Sequence, residues 1–189
     1  GKIAALGKID SDAGRVIDGR GLVLAPGFID MHSHTDSGLL VNPDAESKIT
    51  QGVTLELCGN CGFSSAPCLD EVSRAELENW RRKSGIEEDW GTMGEFLSAF
   101  EKRPIALNFA TLVGHCNIRS SVIGLADRQA TPDEIAQMRQ LASDSMKEGA
   151  FGLSTGLIYA PGCFADTQEI IEITRGIAPY GGFYASHMR

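Results

Sequence analysis

From residue 26 onward, short apolar runs alternate with longer segments whose apolar positions recur every three or four residues. Runs of this length, bounded by glycine and rich in branched or aromatic residues, predict strands, and the longer segments predict amphipathic helices. Strands that alternate with helices form parallel sheets, so the pattern predicts an α/β fold. The predicted strands are residues 27–34, 52–59, 105–115, 149–159 and 181–188.

Several of the intervening segments carry explicit helix start signals. Thr131 and Glu134 form a capping box around a proline at the first helical position, which predicts a helix after residue 131. Asp166 or Thr167 is the predicted N-cap of a later helix. The polar, tryptophan-bearing residues 69–93 predict a helical excursion over the mouth of a barrel. Shorter helices are predicted within residues 44–52 and 94–103.

The number of repeating units predicts an incomplete barrel. Five strand–helix units are present, whereas a closed (β/α)8 barrel needs eight. We therefore expect residues 26–189 to form the N-terminal portion of a TIM-like (β/α)8 barrel. Residues 1–25 differ in character, because they read as short strands joined by turns rich in glycine and aspartate.

Charge and composition exclude several classes of partner. The formal net charge of −8 disfavours nucleic acids and anionic membrane surfaces as partners. The longest apolar stretches are too short to span a bilayer, and the N-terminus has no signal-peptide pattern. Five cysteines at irregular spacing predict reduced thiols and a cytoplasmic location. The C-x-x-C at 58–61 has no second pair, which argues against a four-thiolate structural zinc site.

The histidines and one cysteine all fall where predicted strands end. His32 and His34 close the first strand, where alternation would place both rings on one face. Cys61 follows the second strand, His115 ends the third and His187 ends the fifth. In a barrel these positions share one rim, where the chemistry of such folds is carried. Imidazole and thiolate are ligands that zinc favours. Zinc lowers the pKa of a bound water to about 7, so that hydroxide is available at neutral pH. The cluster therefore predicts hydrolysis of an amide or a related C–N bond.

These motifs resemble a known family. "APGFIDMHSHTD" (25–36) resembles the first-strand signature of the amidohydrolase superfamily, and the residues before it resemble the small β-sandwich that accompanies that barrel. Within the superfamily, four further stretches are similar to the D-aminoacylases, the N-acyl-D-amino-acid deacylases. They are "GVTLELCGNCGFSSAP" (52–67), "LVGHCNIR" (112–119), "GAFGLSTGLIYAPG" (149–162) and "YASHMR" (184–189).

The resemblance implies a metal centre and assigns its ligands. Cys61 and His187 would ligate a tightly held zinc ion, and His32 and His34 would line a second, weaker metal position bridged by the Cys61 thiolate. His115 would be a supporting or structural residue. The family's third zinc-binding histidine and its catalytic aspartate come from later strands, so this segment is expected to contain no catalytic residue and to be inactive alone.

One departure from related families favours the deacylase branch. Hydantoinase- and dihydroorotase-like enzymes carry a carboxylated lysine at the end of the fourth strand, but here that stretch reads "GLSTGLIY". The resemblance thus implies cleavage of N-acyl-D-amino acids, a small-molecule substrate, into a carboxylate and a D-amino acid. Ser154, Thr155 and Tyr159 are candidate substrate contacts at the mouth. The alternative is that these hydroxyls satisfy the backbone of the loop.

Two other functions fit parts of the pattern. The first is a cyclic-amide hydrolase of the hydantoinase or dihydropyrimidinase type, which the missing lysine disfavours. The second is a non-catalytic domain in which the Cys/His cluster holds a fully coordinated metal ion and stabilises the fold.

Overall fold

The computed structural model describes residues 2–9 and 12–188. The strands in this part of the chain are β1 (Phe28–Asp30), β2 (Val53–Cys58), β3 (Asn108–Thr111), β4 (Val113–Gly114), β5 (Gly152–Gly156) and β6 (Phe183–His187). The α-helices are α1 (Gly38–Val41), α2 (Glu46–Ile49), α3 (Glu71–Ser84), α4 (Met93–Lys102), α5 (His115–Ile123), α6 (Pro132–Lys147) and α7 (Thr167–Ile177). Every apolar run predicted as a strand contains one, and the predicted excursion contains the helix α3.

All strand pairs in the described residues are parallel, in the orders β1-β2-β3 and β4-β5-β6. β3 and β4 are consecutive parts of one predicted strand, interrupted only at Leu112. The Leu112 amide donates to the Cys58 carbonyl on one side, and the Phe151 amide donates to the Thr111 carbonyl on the other. Because hydrogen bonds continue on both sides of Leu112, the two three-stranded sheets form one series of parallel strands. The carboxyl ends of these strands lie along one edge.

The main core lies between the strands and the helices. Its buried side chains come mainly from α4, α6 and α7, from the strands they cover and from the loop before α4, and include Trp90, Phe96, Met138, Leu153 and Ile173. Burial of this apolar surface is the main force that holds the helices on the sheet. The capping box predicted at α6 is present, because Thr131 accepts from the Glu134 amide and Glu134 from the Thr131 amide.

The other face of the sheet carries a smaller apolar cluster. Leu57 on β2, Ala110 on β3 and Leu112 between β3 and β4 are buried together. Ala185 on β6 packs against the same cluster, although β6 lies at the far end of the strand order. The strand series therefore curves toward this face, which brings the ends of early and late strands close together.

The N-terminal residues depart from prediction. Residues 2–9 and 12–25 contain no strand, so the short strands expected there are absent from this described part. Val23 and Leu24 are 92% and 94% exposed, and an isolated hairpin without a partner sheet is marginal in water. The assignment of residues 1–25 to a small β-sandwich remains a prediction. Among the described helices, none combines the length and apolar character needed to cross a bilayer.

His115 belongs to a buried ionic cluster between α5 and α7. Its Nε2 donates to Glu169 Oε1 at 2.8 Å, and Arg119 forms an ion pair with the other carboxylate oxygen. All three side chains are at most 1% exposed. Burial raises the pKa of Glu169, but the hydrogen bonds from His115 and Arg119 outweigh that effect and leave the pKa below its ordinary value. The cluster ties two helices together, which agrees with the structural role expected for His115.

Replacing Glu169 by Gln is expected to reduce the free energy of unfolding by about 3–5 kcal/mol, because Arg119 would remain buried without its counter-charge. Urea unfolding of the full-length protein measures the loss. The difference from wild type should shrink as the pH falls through the lowered Glu169 pKa, because the stabilising charge is then lost in wild type too.

Glu172→Gln is the matched control on the same helix. Glu172 pairs with Arg139 and Arg175 at the surface, where ion pairs contribute about 0–1 kcal/mol. Equal losses in the two variants would contradict a stabilising role of the buried cluster.

Candidate metal centre

His32 and His34 lie in the loop after β1 rather than in the strand itself. β1 ends at Asp30, so strand alternation does not set their orientation, in contrast to the prediction. The rings of His32 and His34 still meet edge to face, with centroids 5.2 Å apart. Both side chains are exposed at the carboxyl edge of the sheet.

Cys61 is presented by a tight turn after β2. Its backbone is left-handed, with φ of 57°, and Gly59 and Gly62 on either side also have positive φ. The turn directs the thiol toward two histidines. Cys61 Sγ lies 3.4 Å from His32 Nε2 and 3.4 Å from His187 Nδ1. The structure therefore brings together side chains separated by 29 and 126 positions in the chain.

The spacing of these atoms fits a single divalent cation. Ligand atoms of His32, His34 and Cys61 lie within 4.8 Å of one another. Sulfur and nitrogen bound to the same tetrahedral zinc ion are separated by about 3.5 Å, given the usual Zn–S and Zn–N bond lengths. The donor set of thiolate and imidazole is the one that zinc favours. Geometry and chemistry thus agree on the type of ion that would fit.

The electrostatics of the donors affect cation binding in two opposite ways. Although His34 is exposed, partial loss of its hydration lowers its pKa, and the nearby rings of His32 and His187 lower the pKa further, so the neutral ligand form is favoured. Burial raises the pKa of the Cys61 thiol. The thiol consequently stays protonated at neutral pH until a cation displaces the proton.

Glu56 holds the loop that carries His32 and His34 through hydrogen bonds. This residue was not identified as a functional candidate from the sequence. Its side chain is fully buried, and its carboxylate accepts hydrogen bonds from the hydroxyls of Ser33 and Thr35 on either side of His34. Lys48 Nζ lies 3.1 Å from the other Glu56 oxygen. The available signal was a lone glutamate inside the apolar run "GVTLELCG", because an ionised residue in a buried strand needs partners.

Further hydrogen bonds fasten the histidine loop to the Cys61 turn. The Ser33 amide donates to the Leu57 carbonyl at 3.1 Å, and the Gly59 amide donates to Asp36 Oδ1 at 3.0 Å. Asn60 Nδ2 donates to the Ser33 carbonyl at 3.4 Å and, within its own segment, to the Leu57 carbonyl at 2.9 Å. Burial raises the pKa of Asp36 to about 7 despite the hydrogen bond from Gly59. The two loops therefore form one connected unit.

Ser154 and Thr155, expected at the mouth as substrate contacts, are completely buried. The Ser154 hydroxyl donates to the Gly59 carbonyl and accepts from the Gly62 amide. Thr155 Oγ1 lies 2.6 Å from the Tyr184 hydroxyl. Because both hydroxyls are engaged inside the protein, the geometry favours the alternative, in which they satisfy protein groups rather than bind substrate.

Tyr159 lies beside the candidate metal ligands. Its ring meets that of His187 edge to face at 5.3 Å, and its side chain remains 39% exposed. Phe63 packs on its other side at 5.7 Å. Of the three predicted substrate contacts, Tyr159 alone is both accessible and next to the metal ligands.

The side chains of Cys58 and Lys147 are engaged by other protein groups. Cys58 is buried between Thr35 and Glu56, and burial raises its pKa to about 11. Lys147, the lysine nearest in sequence to the end of β5, pairs with Asp144 on the surface of α6. A bridging lysine is therefore absent from residues 152–159, as the sequence indicated.

The chain is similar to curated and solved deacylases. The family model for the amidohydrolase family matches residues 15–175. A D-aminoacylase from Alcaligenes xylosoxydans xylosoxydans is 43% identical over 189 residues, which is all of this chain and 39% of that protein. The chain thus spans about two fifths of the length of that relative.

Two solved structures share the fold. One, from work on the binuclear metal center in D-aminoacylase, is 41% identical with a TM-score of 0.75. The other, N-acyl-D-glutamate deacylase from Bordetella bronchiseptica with zinc and a phosphonate inhibitor, is 32% identical with a TM-score of 0.76. Each match covers 87% of this chain and 34% of the solved chain. With a family match over most of its length and an α/β fold shared with these hydrolases, the chain belongs to the amidohydrolase family.

Proposed function

We propose that the protein containing this chain is a zinc-dependent hydrolase that cleaves N-acyl-D-amino acids into a carboxylate and a D-amino acid. The observation that carries the proposal is the position of Cys61 Sγ, 3.4 Å from both His32 Nε2 and His187 Nδ1. Similarity over the whole chain to a D-aminoacylase supports the choice of substrate.

The proposed ligand set is the one that the family resemblance implies, and the geometry supports it. Cys61 and His187 would hold the tightly bound zinc ion, and His32 and His34 would line a second, weaker position, with the Cys61 thiolate between the two. The contacts of Cys61 with rings on both sides support this bridging arrangement. A binuclear metal center is named for the D-aminoacylase structure that this chain resembles.

When bound, zinc would polarise the acyl carbonyl and lower the pKa of a coordinated water to about 7. In the reaction, the acyl carbon gains a bond to the water oxygen and loses its bond to nitrogen, and a proton passes to the departing amine. Tyr159, exposed beside His187, would orient the substrate at this edge. The proton carrier would be an aspartate on a later strand, as the family resemblance implies.

The same proposal covers the wider architecture and the location. Residues 26–189 would be the first five units of a (β/α)8 barrel, which the parallel order and curvature of the strands support. Residues 1–25 would belong to a small β-sandwich. The five unpaired cysteines support a reducing, cytoplasmic setting.

We expect the full-length protein to hydrolyse N-acetyl-D-methionine in preference to N-acetyl-L-methionine and to a hydantoin. Cys61→Ala should lower kcat/KM by more than about 100-fold, because even outer partners of metal ligands contribute about 10–100-fold. Amine release measures turnover, and circular dichroism checks folding.

Cys163→Ala is the control, because Cys163 is exposed and makes no contact with Cys61 or the histidines among the described hydrogen bonds. Preference for the hydantoin or the L-enantiomer would reject the proposed substrate class. Unfolding of the Cys61→Ala variant, with an intact four-ligand metal in wild type, would favour the non-catalytic alternative.

Zinc affinity is expected to rise with pH through the neutral range, by about a factor of ten per pH unit for the Cys61 proton, because the raised pKa keeps this thiol protonated. Chelator competition at a series of pH values measures the slope. The slope gives the number of protons released for each zinc ion bound, and this number should fall by about one in Cys61→Ala. An unchanged slope would show that Cys61 does not ligate the ion.

A further inference from the structure

The Cys61 turn has an unusual backbone that the local sequence does not enforce. Cys61 has φ of 57°, in the left-handed region that residues with a Cβ avoid. Such conformations persist where surrounding contacts over-determine them, and they concentrate at functional sites. The turn closes with a hydrogen bond of its own, from the Phe63 amide to the Asn60 carbonyl at 3.1 Å, and contacts from elsewhere in the fold add to it.

Besides Asp36, which accepts from the Gly59 amide, and the Cys116 amide, which donates to the Gly62 carbonyl, the hydroxyl of Ser154 on β5 contacts both ends of the turn. Its Oγ donates to the carbonyl of Gly59, before Cys61, and accepts from the amide of Gly62, directly after it, at 2.9 Å. Ser154 lies 95 and 92 positions away from these glycines and is completely buried. One hydroxyl thus uses its donor and an acceptor site to fix both ends of the turn.

The adjacent backbone of β5 leaves little space around the turn. A methyl group at Gly156 would lie 2.1 Å from the carbonyl oxygen of Cys61, closer than any real contact. A methyl group at Gly62 would lie 2.7 Å from the Gly156 amide nitrogen. The turn is therefore pressed against β5, and Ser154 supplies the polar groups that its buried backbone needs at that interface.

From these contacts we propose that Ser154 is a positioning residue for the Cys61 thiolate. It keeps the turn in the left-handed conformation that places Sγ between His32 and His187. Without the hydroxyl, the buried Gly62 amide loses its acceptor and the Gly59 carbonyl loses its donor. Relaxation of the turn would then move the sulfur away from the two rings. The inference deepens the proposed function, since it rests on Cys61 as a metal ligand.

The test compares Ser154→Ala with Ser145→Ala in the full-length protein. Ser145 is also a buried serine, but its hydroxyl donates to the Leu141 carbonyl within α6, away from the site. Cadmium is the probe, because a bound thiolate gives an ultraviolet charge-transfer band. Cys61→Ala supplies the background from every other cysteine of the protein.

We expect Ser154→Ala to weaken cadmium binding by about 10–100-fold and to reduce or shift the Cys61-dependent band. Ser145→Ala should leave both unchanged. A cooperative thermal unfolding transition of each metal-free variant would show that the variant is folded. A loss of the band in a folded variant then reports a changed position of the thiolate rather than a loss of stability. If Ser154→Ala does not fold, Ser154→Thr, which keeps the hydroxyl, is expected to retain the band.

The outcomes separate the inference from the function on which it rests. A Cys61-dependent band in wild type that persists unchanged in folded Ser154→Ala would overturn the positioning role alone. A band lost in folded Ser154→Thr would do the same, because the hydroxyl is still present. A wild-type spectrum identical to that of Cys61→Ala would instead overturn the metal role of Cys61.

Discussion

The candidate centre depends on one physical constraint, the close packing of the Cys61 turn against β5. Parallel strands bring several chain segments to one edge of the sheet, but that order alone does not aim a side chain. The turn crosses from the end of β2 to the inner side of β5, where Gly156 leaves room for the Cys61 carbonyl. In this position the Cys61 sulfur lies 3.4 Å from both His32 Nε2 and His187 Nδ1.

Two ionic clusters, each centred on a buried glutamate, stabilise the structure in different ways. Glu56 accepts hydrogen bonds from the loop that carries the histidines and lies close to Lys48, so a charge beneath the sheet edge orders the ligand loop. Glu169 instead connects His115 and Arg119 between two helices. Buried charges require such partners. The first cluster therefore bears on the metal ligands, and the second on the packing of the helical layer.

The fate of the four histidines and three hydroxyl residues shows how far sequence patterns reach. The position of each histidine after a strand indicated a shared edge, yet His115 turns away and is buried against Glu169. Ser154 and Thr155 also lie at the end of a strand, where residues of the barrel mouth are expected, but both side chains are buried. Position along a strand predicts the end of the sheet at which a residue lies. It does not predict whether the side chain faces solvent, helix or neighbouring loop, because that depends on what packs above it.

The sequence by itself determined the elements whose signals are local: the apolar runs that became parallel strands, the Thr131 capping box of α6 and the family motifs around His32 and Cys61. These signals act over a few residues, through backbone sterics and side-chain periodicity. Only the tertiary structure decided that β1 ends before His32, that Ser154 fastens the Cys61 turn, and that Glu56 lies beneath the histidine loop. Those outcomes arise from contacts between residues more than twenty positions apart, which exist only once the chain has folded.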